Sequence, residues 1–379
     1  MIVDIVTGVG YGDEGKGLTT SWLCRQLLAQ NSRPLVVRYG GGNQVGHTVM
    51  YKGFLYEHHH QGAGSLLGVP TYYSDFCTVD PIGTLREKKE LKERGYNFNL
   101  YYDPHVMIVT PLDVYYNRVR EKALRHGSVG VGFGATIERN EKYYKLTCQD
   151  IHNERLFKQK CLRIVDYYTD KLGELEEGIF SIDEFYETCK EFYYEVGICS
   201  INHAIKQEDA TNLVMEGHQG VLLDKDRGVF PNVTRSNTTC KNAFAVLNAL
   251  NDLNAIIDIK NWMITRSYHT RHGNGYFEEE EITLTNNEWE TNSYNDYQLA
   301  FKVSPLQMDL LEAGVRYNLT DLDKANWPHT ITKCLVVSCC DQIENPNEVI
   351  DRIKETFIDS MLVDRLYTNW SPEANLKWM

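Results

Sequence analysis

The chain has 379 residues, 42% hydrophobic and 24% charged, with a formal net charge of −13. That is globular composition, long enough for one large or two medium domains. The negative balance excludes non-specific nucleic-acid binding, which needs a basic surface, and no apolar run approaches the ~20 residues that span a bilayer. Ten cysteines without a Cys-x-x-Cys pair or finger spacing, and no leader ahead of the first apolar run, predict reduced thiols in a cytoplasm.

Residues 2–7 are an apolar run that predicts a buried strand. Directly after it comes Gly8-Val9-Gly10-Tyr11-Gly12-Asp13-Glu14-Gly15-Lys16-Gly17. Glycines between a strand and a helix let several backbone N–H groups face one anion, and Lys16 and the helix N-terminus add positive charge. The stretch nearly fits Gly-x-x-x-x-Gly-Lys-[Ser/Thr], but Gly17 replaces the Mg²⁺-binding hydroxyl. Asp13 is a carboxylate in a loop suited to negative charge, which points to metal binding or proton transfer at the phosphate.

A helix is predicted over 18–30 and a second buried strand over 34–39. Arg38-Tyr39-Gly40-Gly41-Gly42-Asn43-Gln44-Val45-Gly46-His47-Thr48 follows, where glycines expose backbone to a ligand and His47 can exchange a proton near neutral pH. Helices are expected over 80–95 and 112–125. The loop His126-Gly127-Ser128-Val129-Gly130-Val131-Gly132-Phe133-Gly134 suits a second phosphate nest. Residues 150–207 carry Tyr, Glu and Lys at helical spacing and predict a helical insertion. A strand over 212–215 ends in Glu216-Gly217-His218-Gln219-Gly220, where the Gln219 amide can read a carbonyl and a ring nitrogen. Val233-Thr234-Arg235-Ser236-Asn237-Thr238-Thr239 precedes a helix over 243–253, then a strand over 255–265. Late strands are expected at 317–319 and 334–338, a helix at 348–357, and a short strand before Trp370. The pattern predicts one α/β domain over 1–379: a central, largely parallel sheet with a P-loop-like first strand–loop–helix and helical insertions.

Five stretches, in order, resemble the adenylosuccinate synthetase family: Gly12-Asp13-Glu14-Gly15-Lys16-Gly17; Val45-Gly46-His47-Thr48; Glu216-Gly217-His218-Gln219-Gly220 with Leu222-Leu223-Asp224; Val233-Thr234 with Ser236-Asn237-Thr238-Thr239; and Leu319-Thr320-Asp321-Leu322-Asp323. The family condenses L-aspartate with IMP, using GTP and Mg²⁺, and is commonly homodimeric. The resemblance implies that Asp13 takes the proton from purine N1, that His47 is the acid at the γ-phosphate, and that Gln219 orients the base. Gly12, Glu14, Gly15, Lys16, Gly17, Thr48 and Lys302 would meet nucleotide phosphates. Asn43, Gln44, Ser128, Val129, Gln219 and Thr234 would hold the purine nucleotide. Asp321, Asp323 and Pro372 would meet the donor base, Thr270 and Arg271 the amino acid, and Asp13 with the Gly46 carbonyl the Mg²⁺ ion.

The chain also departs from the family pattern. The family's arginine-rich aspartate loop is matched by 294–304, where Lys302 is the sole basic residue; Arg271 is the remaining carboxylate partner. Asp321 stands where the family has a base-reading Lys, so ATP joins GTP as a donor. The arginine that the family supplies across its dimer interface falls near Tyr143, with Arg139, Lys142 and Lys145 as neighbours. Residues 60–71 resemble a divergent branch that includes phage enzymes acting on dGMP, most of which carry Ser in place of the catalytic Asp. Asp13 favours IMP as the substrate, with dGMP or GMP as the alternative. A nucleotide-binding regulator on the same fold is the rival class, and an unrelated P-loop phosphotransferase fails at Gly17.

Overall fold

The computed structural model describes residues 1–125, 127–175, 178–285 and 301–379. A ten-stranded sheet runs in the order Lys377–Trp378, Arg365–Thr368, Ile331–Ser338, Asp258–Arg266, Ile2–Gly8, Asn212–Glu216, Pro34–Arg38, Thr71–Tyr73, Leu100–Tyr102, Gly197–Ile198. All neighbours pair parallel except the last strand of the chain, Lys377–Trp378, which is antiparallel to Arg365–Thr368. The central strands are largely apolar because both faces are covered, as parallel sheets require. Val6, Val36, Val214 and Ile264 pack against Leu23, Cys24 and Leu27 of the helix Lys16–Ala29. Val3, Ile5, Leu213 and Met263 pack on the other side against Ala243, Phe244, Leu311, Val315 and Ile350.

The segment 150–207 holds the helices Glu154–Leu172, Ile182–Glu195 and Ile201–Gln207. Phe157, Cys161, Ile164, Tyr168, Phe185 and Phe192 share a second core with Tyr102, Ile108 and Leu112. The third helix instead contributes Ile201 and Ala204 to the main sheet core. Among the described residues no helix is long and apolar enough to cross a membrane.

The strand expected at 317–319 is part of the helix Met308–Lys324. Leu311, Val315, Leu319 and Leu322 recur every three or four residues and form its buried stripe. The hairpin His47–Tyr51 and Phe54–His58 adds to the expected elements; its Lys52-Gly53 turn has φ of 51° and 76°, the geometry that favours a two-residue connection.

Asp4 lies buried on the first strand and accepts a hydrogen bond from Trp262 Nε1 at 2.7 Å. Burial pushes its carboxyl up to about 6, against the Trp262 hydrogen bond and Lys260. The folded state therefore keeps this proton to higher pH than the unfolded chain. Its contribution to stability is complete below pH 4 and is lost as pH rises through 6, an effect of about 3 kcal/mol. Asp4→Asn keeps an acceptor for Trp262 but cannot ionise. Urea unfolding at pH 4 and pH 7 should show a pH-dependent loss smaller by about that amount in the variant; identical pH slopes would refute the assignment.

Candidate active site

A cleft of about 970 Å³ opens along the carboxyl ends of the parallel strands, where ligands bind in open α/β sheets. Its walls include Gly12 to Gly17 after the first strand, Gln44 to Thr48 after Pro34–Arg38, Gln219 after Asn212–Glu216, Arg266, Arg271 and His272 at and beyond the end of Asp258–Arg266, and Ser338, Cys339, Asp341 and Gln342 at and beyond the end of Ile331–Ser338. Ser128, Val129, Thr234 and Pro372 also line it.

The glycine loop is held by its neighbours. Gly12, Asp13 and Gly15 have φ of 103°, 57° and 92°, a region open to glycine and tolerated by Asp. Thr270 Oγ1 donates to the Gly12 carbonyl at 3.2 Å, and Arg266 Nε donates to the Asp13 carbonyl. Lys16 is buried beside Glu14, 3.5 Å from Oε2. Burial pushes the Glu14 carboxyl up to about 7, opposed by Lys16 and the Gly10 N–H. Glu14 thus braces Lys16 and Gly10 from behind the loop. Gly17 has a steric cause: a Cβ there would stand 2.7 Å from His47 Cβ. The hydroxyl expected of an ordinary P-loop is missing because the His47 strand packs against this helix.

His47 Nδ1 lies 2.7 Å from Glu216 Oε1, with both side chains buried. Burial pushes the His47 ring down to about 4, despite the carboxylate beside it. At neutral pH the ring is uncharged, so Nδ1–H donates to Glu216 and Nε2 is an acceptor without a partner among the described residues. Burial would raise the Glu216 carboxyl, but His47 and Arg38 hold it below the ordinary carboxylate range. The fully buried Arg38 guanidinium is 3.7 Å from Glu216 Oε2, which also accepts the Ala63 N–H at 3.2 Å. Glu216 and Arg38 are thus site residues whose role only the structure shows, although each stands at the edge of a glycine-rich loop.

Gln219 has φ 46° and a buried Oε1, and both amide atoms of Gln44 are likewise buried, all without partners among the described residues. Such atoms await a ligand or water, since buried polar groups are otherwise satisfied. Asp13 Oδ2 is 3.4 Å from His272 Nε2. His272 follows Arg271 in sequence and escapes sequence reasoning because an isolated ring carries no periodic signal.

The loop around Ser128 is built by the helix Pro111–Leu124: Asn117 Nδ2 donates to Ser128 Oγ at 2.8 Å, and Asn117 Oδ1 accepts the Gly132 N–H at 3.0 Å. Asp224 braces the loop bearing Thr234 by accepting the Thr238 N–H at 2.5 Å.

Five assignments fall outside the cleft lining. Asp321, on the helix Met308–Lys324, pairs with Arg227 Nη2 at 2.6 Å and accepts from Thr239 Oγ1 at 2.8 Å. Asp323 is exposed on the same helix. None of the Leu-Thr-Asp-Leu-Asp run lines the cleft, whereas Ser338, Cys339, Asp341 and Gln342 at the next strand end, with Asn369, Ser371 and Pro372, do. Lys302 pairs with Glu279. Thr270 serves the loop through Gly12, and Asn43 donates to the Val131 carbonyl at 2.9 Å. Arg271 reaches the cleft, but its Nη atoms donate to the backbone carbonyls of Asn232, Asn274 and Tyr276. Arg139 is locked on Asp113 at 2.9 Å and fully buried, so it cannot reach across an interface. Residues 294–300 of the expected amino-acid loop, and His126, lie outside the described residues.

A family model described as adenylosuccinate synthetase matches residues 5–295. The adenylosuccinate synthetase of Helicobacter acinonychis is 28% identical over 293 residues, 74% of this chain and 67% of its own length. That of Pseudomonas fluorescens is 31% identical over 286 residues, 72% and 64% respectively. The first curated relatives are matched over 56% to 67% of their own length. Among solved structures, the fully ligated adenylosuccinate synthetase of Plasmodium falciparum superposes with a TM-score of 0.68 at 19% identity, covering 89% of this chain and 77% of that one. The succinoaminodeoxyadenylate synthetase of cyanophage S-2L, bound to dGMP and dATP, gives 0.66 at 14% identity, covering 99% and 95%.

Proposed function

This chain belongs to the adenylosuccinate synthetase family, and from that premise we propose that it joins L-aspartate to C6 of a 6-oxopurine nucleotide, at the expense of a nucleoside triphosphate. The observation that carries the proposal is the convergence of Asp13, Lys16, His47 and Gln219 on one cleft. A purine 6-oxygen leaves poorly, so it must first be phosphorylated. Asp13 takes the N1 proton, O6 attacks the γ-phosphorus, and the nucleoside diphosphate departs. The aspartate amine then adds at C6 and expels orthophosphate. Lys16 and the loop N–H groups hold the transferring phosphoryl, His47 takes up a proton at Nε2 as negative charge develops there and then donates to it, and Gln219 orients the base. Positioning and fixed charge supply most of the rate.

The donor set fits Mg²⁺: a carboxylate at Asp13 and a backbone carbonyl at Gly46 line one cleft, and this ion favours few protein oxygens completed by substrate phosphates. Bound there, it would neutralise phosphate charge. Asp341 replaces Asp321 and Asp323 as the donor-base contact, since it lines the cleft and its carboxylate can accept guanine N1–H and N2–H₂; GTP is the first donor, ATP the second. A cytoplasmic homodimer completes the proposal.

IMP is the preferred acceptor because Asp13 is retained. The dGMP alternative is favoured by one observation, the near end-to-end correspondence with the cyanophage enzyme. Phosphate release should be measured with IMP, dIMP, GMP and dGMP against GTP and ATP, with and without L-aspartate. Aspartate-dependent release with IMP is the expected result, release with dGMP alone would install the alternative, and silence in every combination would leave a nucleotide-binding regulator.

A further inference from the structure

We propose that Arg120 and Arg235 bind the 5′-phosphate of the purine monophosphate. The inference rests on the ligase reading, because it takes the monophosphate from that reaction. Both arginines line the cleft that also carries Ser128, Val129 and Thr234. Their guanidinium groups converge on a single oxygen: Arg120 Nη1 and Arg235 Nη2 lie 2.9 and 3.0 Å from Glu138 Oε2. Their side chains are 40% and 41% exposed, whereas Glu138 is only 13% exposed. The shared carboxylate is therefore the buried anchor, and the guanidinium edges are the accessible part.

Two guanidinium groups on one carboxylate leave a local excess of positive charge, and Lys171 adds a third cation at 3.0 Å from Glu138 Oε1. Glu141, 3.5 Å from Arg235 Nη1, offsets part of it. Burial would raise the Glu138 carboxyl, but Lys171, Arg235 and Arg120 together hold it below its ordinary range. In a chain of net charge −13, such a cluster inside the cleft is where a dianion would settle. The helix Phe133–Glu141 starts at the same wall, and among the described residues no side chain caps its N-terminus. Gly134 stands at that end, where a Cβ would lie 3.8 Å from Arg235 Cδ, so the Arg235 stem lies over the first turn. Planar guanidinium groups suit phosphate oxygens by paired N–H donation.

The test compares wild type with Arg235→Ser, Arg120→Gln, the double variant and Arg235→Lys. Each single loss should raise the KM for the monophosphate about tenfold and the double about a hundredfold, as for a charged hydrogen bond worth roughly 1.4 kcal/mol or more. kcat and the donor KM should stay within about twofold, with R235K intermediate because it keeps charge but loses the paired geometry. Thermal shift with IMP against inosine, and dGMP against deoxyguanosine, reads the same contact without turnover: the double variant should lose the extra stabilisation given by the phosphate. A KM that moves less than twofold in the double variant, or a phosphate-dependent shift that survives in it, overturns the inference. If wild type turns over no monophosphate, the ligase reading falls and the thermal-shift comparison still decides the role of the arginines.

Discussion

Asp13→Asn should cut aspartate-dependent phosphate release by at least about 10³-fold, while nucleotide binding stays measurable by thermal shift. The substitution isolates the chemistry. Asp13 sits at φ 57°, where Asn is as well tolerated as Asp. Its backbone carbonyl, the group that Arg266 holds, is untouched, so the loop keeps its shape. What disappears is the carboxylate that, in the proposed reaction, would accept the purine N1 proton and would offer one oxygen to Mg²⁺. Without that proton transfer O6 remains a weak nucleophile, and a cradle that still binds phosphate has nothing to transfer it to. Turnover equal to wild type would remove Asp13 from the reaction. Loss of nucleotide binding in step with turnover would make it a binding residue instead.

The phosphate side of the site is legible in the sequence because its chemistry is local. A strand, five glycines and a lysine within residues 2–17 describe their own three-dimensional arrangement, and the same holds for the loop that carries Gln44 and His47. The parallel sheet follows from apolar runs too short for helices and too continuous for a one-sided strand. Leu-Thr-Asp-Leu-Asp matches a motif by letter but stays out of the cleft because it lies on a helix, whose buried stripe pulls Asp321 toward Arg227 and Thr239. Asp341 and Gln342, which do line the cleft, follow the next strand and share no letters with a glycine-rich signature. Arg120 and Arg235 are 115 positions apart and meet only through Glu138. Spacing along the chain carries no trace of such a cluster.

Removing the charge of Glu216 should slow catalysis through His47, and a double-mutant cycle can show it. Glu216→Gln keeps an oxygen to accept the Nδ1–H but deletes the anion 2.7 Å from the ring. His47 is already pushed down to about 4 by burial, and Glu216 is the group that opposes the shift. Its loss leaves the ring harder to protonate when the γ-phosphate develops charge. We expect kcat to fall about 10²-fold in Glu216→Gln and at least as much in His47→Asn, with the monophosphate KM within about threefold in each. Arg38 will lose its partner at 3.7 Å, so Glu216→Gln should also unfold at lower denaturant, by about 3 kcal/mol for an orphaned buried charge. Stability and rate are therefore measured separately, with rates taken well below the unfolding temperature. The variant carrying both substitutions should be no slower than His47→Asn alone, because Glu216 acts only by way of the ring. Rate losses that multiply would mean that Glu216 serves the reaction by a route independent of His47, and the imidazole would then have to be oriented by the packing of its strand against Gly17 alone.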